Sequence, residues 1–139
     1  MREIKFRGFS KKHQQWLTGN YILNRGAHFI APVDEPADGK TWEDYEVNPD
    51  TVGQFTGRKD LNFCDIYDGD IVRDHSDPMG NGDVGAVVYD EAHAIFAIRY
   101  YNDTPDESIT YGMYDCKQKE LEVIGNIHDN PELLKRNEQ

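Results

Sequence analysis

The sequence predicts a mainly β protein, a small antiparallel barrel-like fold, and three observations carry that expectation. Turn residues are dense, with 12 Gly and 6 Pro in 139 residues, and they punctuate short runs rich in Val, Ile, Tyr and Phe. Several of those runs alternate apolar and polar residues with a period of two, the pattern of a half-buried strand. Helix signals are scarce. The clear one is Asn130-Pro131-Glu132, with Asn as N-cap, Pro at the first helical position and an acid in the first turn.

Taken in order, Glu3 to Phe9 places Ile4 and Phe6 on one face and Lys5 and Arg7 on the other, a half-buried strand. Trp16-Leu17 and Tyr21-Ile22-Leu23 read as two strands around a hairpin loop at Thr18-Gly19-Asn20. Phe29-Ile30-Ala31 is a further short strand that Pro32 ends. Residues 34–50 hold seven acids, two Pro and one Gly. They read as a long solvated excursion, with Trp42 and Tyr45 as pins onto the core. Residues 52–59 read as a turn joining two halves. Ile66-Tyr67, Asp68-Gly69-Asp70 and Ile71-Val72-Arg73 form a tight turn feeding a strand, and residues 74–83 form a turn-rich loop. Val84 to Tyr89, Ala94 to Tyr101, Ser108 to Tyr114 and Leu121 to Ile127 are four more strands. Leu133 and Leu134 dock a single C-terminal helical turn whose end suits Lys135 and Arg136. The length fits one domain over residues 1–139, with a subdivision into an N-terminal β subdomain, 1–57, and a barrel subdomain, 58–139.

Charge narrows the function classes. Fifteen Lys and Arg against 26 Asp and Glu give a net charge of −11, and the isoelectric point is near 4.7. Such a field repels phosphate backbones and anionic membranes, so direct nucleic-acid binding is not expected. No apolar run approaches the ~20 residues of a membrane span. The opening Met-Arg-Glu-Ile-Lys-Phe-Arg has no apolar signal core, which suits a cytoplasmic protein. Basic charge is local: Arg2, Lys5, Arg7, Lys11 and Lys12 against Glu3 give residues 1–13 a charge of +4, and residues 34–50 carry −6. These two surfaces are complementary and could meet within one chain or between copies.

No catalytic constellation, cofactor motif or metal motif emerges. There is no Gly-x-Ser-x-Gly elbow, and Cys64 and Cys116, 52 positions apart, form neither a disulfide framework nor a zinc pattern. The five histidines lack the spacing of a metal-binding helix. Asp68 and Asp70 invite a calcium or magnesium reading, but a metal loop beginning at Asp60 would need Gly where Asp65 stands and Glu where Ile71 stands. Turn chemistry is the better account, with positive φ at Gly69 and Asp70 bonding the backbone. The glycines and cations of residues 52–59 could form an anion nest, though a turn explains them more simply.

Four blocks in order carry a family likeness: Met1-Arg2-Glu3-Ile4-Lys5-Phe6-Arg7; Trp16-Leu17-Thr18-Gly19; Pro49 to Asp60 with Ile66-Tyr67-Asp68-Gly69-Asp70-Ile71-Val72; and Val123-Ile124-Gly125-Asn126-Ile127-His128-Asp129-Asn130-Pro131-Glu132-Leu133-Leu134. Together they resemble the YopX family of phage and prophage proteins over nearly the whole chain. The likeness implies a small, mainly β protein whose recurring residues are structural, among them Gly57, Asp60, Tyr67, Gly69, Asp70, Gly125 and Asn126. Tyr67 to Val72 also looks like the entry to an SH3-like barrel. The chain departs from the family with Arg58 for a usual Leu, Asp68 for Glu, and Asn62-Phe63 for an Asn-Gly pair. Losing that Gly weighs against a tight left-handed turn at residue 63, since Phe tolerates positive φ poorly.

The expected function is a non-enzymatic accessory module, working through protein contacts with Trp42 and Tyr45 as anchors. Self-association of the +4 and −6 segments is its simplest form, a homo-oligomer. An acidic mimic of nucleic acid that occupies a host DNA-binding protein is the alternative, and a metal-dependent hydrolase at Asp68 and Asp70 comes third.

Overall fold

The computed structural model describes residues 1–32, 38–76, 82–101 and 108–134. The chain is mainly β, with two antiparallel sheets and only short 3-10 turns between strands. It falls into two compact units, Met1–Gly57 and Arg58–Gln139.

The first unit holds β1 (Phe6–Phe9), β2 (Trp16–Asn24) and β3 (Ala27–Ala31), with β4 (Gly53–Lys59) crossing the division. Their order is β3-β2-β1-β4, and β5 (Asp65–Tyr67) is hydrogen-bonded to β4. Residues 52–59 are therefore mostly strand and not a turn. Phe6 and Arg7 pair with Gln54 and Gly53, and Phe55 is buried between polar neighbours; the flanking glycines disguised that alternation.

Two strands expected around Thr18-Gly19-Asn20 are one nine-residue strand, β2. Gly19 stands there because backbone comes too close for a side chain: a Cβ would lie 2.2 Å from the Ala31 carbonyl oxygen. The hairpin turn is Arg25-Gly26, both at positive φ (52° and 78°), closing the pair Asn24 and Ala27. Two residues of positive φ match the right-handed twist of the strands they join.

Of the acidic excursion, residues 38–50 are only partly solvated, and residues 34–37 lie outside the described residues. A 3-10 turn at Trp42–Tyr45 and another at Pro49–Thr51 return the chain to the core, where Val47 and Tyr45 are buried with Ile30, Ala31 and Phe55. Isolated bridges tie Val47 to Ser10 and Glu46 to Phe29.

The second unit contains β6 (Asp70–Asp74), β7 (Asp83–Asp90), β8 (Ile95–Tyr101), β9 (Ser108–Gly112) and β10 (Leu121–Asn126). They form one sheet in the order β10-β6-β7-β8-β9. Its core is Ile66, Val72, Val87, Ile98, Met113 and Leu121, each side chain contributing about 2 kcal/mol by leaving water. Part of the expected loop at 74–83 is strand, since Asp74 pairs with Asp83; residues 77–81, Asp77 among them, lie outside the described residues. The C-terminal helix is a 3-10 turn at Pro131–Leu134, and Lys135 and Arg136 also lie outside.

The sheet is open, not a closed barrel. Closure would need β9 to hydrogen-bond β10, but another segment occupies the outer edge of β10. The Leu61 N–H donates to the Leu121 carbonyl at 2.8 Å, and the Val123 N–H donates to Asp60 Oδ2 at 2.9 Å. With those groups satisfied, β10 offers no ladder to a closing strand.

Candidate functional site

The turn that seals β10 is organised by one side chain. Asp60 is 1% exposed. Its Oδ1 accepts the N–H groups of Asn62 (2.8 Å) and Cys64 (2.9 Å), while Oδ2 accepts that of Val123. Its own N–H donates to the Cys64 carbonyl at 2.8 Å, and its carbonyl accepts from Phe63 N–H at 3.0 Å and Gln118 Nε2 at 3.1 Å. A carboxylate can accept several such bonds, and here it holds a four-residue loop against a strand.

That loop forces Phe63 into the left-handed region, at φ 63°. Phe63 was expected to weigh against a left-handed turn, and the turn forms all the same, held by the Asp60 bonds. The ring gains little in exchange, because it is 74% exposed. With Leu61, Lys117, Gln118 and Lys119 it lines an open groove of about 370 Å³. Both lysines are exposed. An exposed aromatic ring thus shares a groove with two exposed lysines on a chain of net charge −11.

The other residues singled out in the sequence occupy structural positions. Gly69, at φ 92° between β5 and β6, uses a conformation that β-branched residues avoid. Its N–H donates to Val87 and its carbonyl accepts from Ile127, both at 2.9 Å. Asp70 is buried, and its Oδ2 accepts the Tyr67 N–H at 2.7 Å. Asn126 pairs with Asp70 across β10 and β6, and its Oδ1 accepts the N–H groups of His128 and Asp129 at 2.9 Å. Gly125 follows a bulge in β10 and packs so closely on Asn130 that a Cβ would lie 2.5 Å from the amide oxygen. Tyr67, Gly69, Asp70, Gly125 and Asn126 therefore meet at one end of the β6–β10 pair, whereas Asp60 works at the Leu121–Val123 end. Gly57 sits in β4 at φ 87°.

Tyr45 is a core residue at 7% exposure, which removes it as a docking anchor. Trp42 remains 42% exposed and packs edge-on to Phe29 and Tyr45, with centroids at 5.8 Å and 6.4 Å. The complementary charges meet inside the first unit. Asp44 Oδ1 accepts from His13 Nε2 at 2.7 Å and faces Lys12 Nζ at 3.2 Å, Asp44 Oδ2 accepts the Thr41 N–H at 2.8 Å, and Lys11 pairs with Glu46 at 3.2 Å. The Thr41 N–H, with the His13 ring and the Lys12 ammonium, holds the Asp44 carboxyl well below the usual carboxylate range.

Groups with chemical potential are otherwise tied up. Burial and the nearby Asp74 carboxylate push the Cys116 thiol up, the reverse of what a nucleophilic thiolate needs. The Tyr100 hydroxyl donates to Asp74 Oδ2 at 2.8 Å, and burial with that carboxylate raises the phenol well above its ordinary value. Among the described residues, no group of three or more His, Cys, Asp or Glu is placed to hold a metal ion. No helix among them is long and apolar enough to cross a membrane.

Leu61, Phe63, Lys117, Gln118 and Lys119 did not stand out in the sequence as a site. The signal that could have found them was the Phe in place of the Gly expected after Asn62.

Two five-stranded antiparallel sheets, joined by short 3-10 turns and without a long helix among the described residues, define a class of small two-unit β proteins. The family model of the YopX protein matches residues 5–135, and the chain belongs to the YopX family. The crystal structure of protein EF1440 from Enterococcus faecalis is similar to it with a TM-score of 0.58 and 22% identity, covering 97% of this chain and all of that one. That likeness speaks for the fold alone. No curated protein matches the chain.

Proposed function

We propose that this chain is a phage- or prophage-encoded accessory protein, non-enzymatic and acting in the host cytoplasm, that docks onto a partner protein through the Phe63 groove. The observation that carries the reading is Phe63 itself: a large apolar side chain kept exposed, in a strained backbone conformation, on a loop fixed by a buried carboxylate. Strain held in place by its surroundings is characteristic of working sites. A rigid aromatic also anchors protein interfaces at little entropic cost. Lys117 and Lys119 select the occupant by charge: a protein segment with an apolar side chain flanked by carboxylates. We read the C-terminal unit as an opened SH3-like sheet, an analogy that brings no function by itself.

The test compares capture from a bacterial lysate by the wild-type chain, Phe63→Gly and the double variant Lys117→Glu/Lys119→Glu. Phe63→Gly relieves strain, so it keeps the fold while removing the anchor. The expected result is a protein retained by the wild type and lost with both variants, with retention weakening as salt rises. Identical captures by all three would overturn the docking site. Retention of duplex DNA by the wild type would overturn the protein-binding reading altogether. Displacement by the wild type of DNA from a host DNA-binding protein, unaffected by Phe63→Gly, would favour the acidic mimic instead.

A further inference from the structure

We propose that β9 is the interface of a homodimer, in which two copies pair their β9 strands antiparallel about a twofold axis and join their sheets into one. Sheet edges expose unpaired backbone groups, and proteins cover or charge them. The edges elsewhere among the described residues are managed. β10 is sealed by Asp60 and Leu61. β3 is covered by Glu46 and Val47, whose N–H donates to the His28 carbonyl at 2.9 Å. β5 has only three residues. β9 is different: it ends the order β10-β6-β7-β8-β9, and no described strand pairs with its outer side. Its sequence, Ser-Ile-Thr-Tyr-Gly, has no charge and no Pro, in a chain that is 29% charged. It carries none of the usual guards.

The side chains argue for a second copy as the occupant. Tyr111 pairs with Ile98 and Ile109 with Tyr100, so both lie on the face of the sheet that builds the core. Yet Ile109 is 43% exposed and Tyr111 52%: the core face runs on past its cover to the edge. Placing Thr110 on the twofold sets Ile109 opposite the second copy's Tyr111, and Tyr111 opposite its Ile109. Antiparallel pairing about a twofold demands such reciprocal contacts, and β-branched residues facing aromatic ones are favoured cross-strand pairs. β9 itself is neutral, so its pairing sets no charged residue directly opposite another although each chain carries −11. Five residues a side are few beside the roughly 20–30 of a standard interface, so the dimer is weak and concentration-dependent. This contact is independent of the Phe63 groove.

Thr110 provides the test, because it is exposed and lies on the opposite face from Ile109 and Tyr111. In the dimer the two Thr110 side chains are neighbours, with Arg99 beside each at 3.4 Å from Oγ1. Thr110→Lys therefore sets like charges together and weakens association several-fold. Thr110→Glu is its complement, so an equimolar mixture of the two variants forms the mixed dimer. Sedimentation at low and high micromolar concentration, with thermal melts to verify the fold, reads all three samples. The expected result is a concentration-dependent wild-type dimer, a Thr110→Lys whose association is several-fold weaker and recovery in the mixture. A wild type that stays monomeric, a Thr110→Lys that dimerises like wild type, or a mixture that does not recover would each overturn the proposal.

Discussion

Two buried aspartates, Asp44 in the first unit and Asp60 in the second, solve the same problem in opposite ways. Both carry a carboxylate at under a tenth exposure. Asp44 is satisfied mainly by side chains, a histidine ring and an ammonium, with one backbone N–H. Asp60 is satisfied by three backbone N–H groups, one of them 63 residues away. Removing the first breaks a charge pairing whose members can return to solvent. Removing the second leaves three part-buried peptide N–H groups of a loop and a strand without their acceptor at once. An acid that binds backbone sets geometry; one that binds cations adjusts electrostatics.

The sharpest way to break the comparison is Asp60→Ala, which should destabilise the protein by about 3 kcal/mol, since the part-buried Val123 N–H and the two loop amides lose their acceptor together. Asp60→Asn should recover only part, because its NH₂ group would face a backbone donor on one side. Denaturant melts of the two variants measure both effects. A loss under about 1 kcal/mol for Asp60→Ala would mean that other bonds hold the loop.

Gly69→Val comes next, at about 2 kcal/mol, because a β-branched residue at positive φ is strained whatever space surrounds it. Here too the backbone is the partner, so Asp70→Asn, whose amide oxygen still accepts from Tyr67, should cost less. A Gly69→Val variant that melts like wild type would show that the β5–β6 turn can change its type freely.

Asp44→Asn should have a smaller effect and, unlike the other two, one that depends on pH. The folded state lowers the Asp44 carboxyl, so ionised Asp44 stabilises the fold above the unfolded value of about 4. That contribution is lost as pH falls below about 4 toward the lower folded value. The stability gap between wild type and Asp44→Asn should therefore be present at neutral pH and close in acid. High salt should narrow it as well. A gap that persists unchanged at low pH would place Asp44 with Asp60, as an organiser of backbone.

The same contrast explains what could be read from the sequence. The turn at Asp68-Gly69-Asp70 was legible because its chemistry is local: a glycine at positive φ and an aspartate bonding three residues back. The strands between Val84 and Ile127 were legible as short runs rich in Val, Ile, Tyr and Phe set between turn residues. Gly19 was misread because a close approach by Ala31 looks, in one dimension, the same as a turn. The open sheet was invisible for a related reason, since the seal on β10 depends on Asp60 reaching Val123. Complementary charge at residues 1–13 and 34–50 was visible, yet only the folded first unit shows Lys12 and His13 meeting Asp44 within the chain.

The smallest expected effect has the opposite sign. Phe63→Gly should stabilise the protein, by about 1 kcal/mol or less. The left-handed conformation costs a bulky residue about 1–2 kcal/mol, and Gly adopts it without strain but loses more chain entropy on folding, about 0.5–1 kcal/mol. Because the ring is largely exposed, little buried apolar area is sacrificed. A rise of a few degrees in melting temperature would show that the Asp60 network holds Phe63 against its own preference, so that the aromatic is kept for something other than stability. A fall of similar size would show instead that the ring packs usefully against Leu61, and the case for a docking anchor at residue 63 would lose its physical basis.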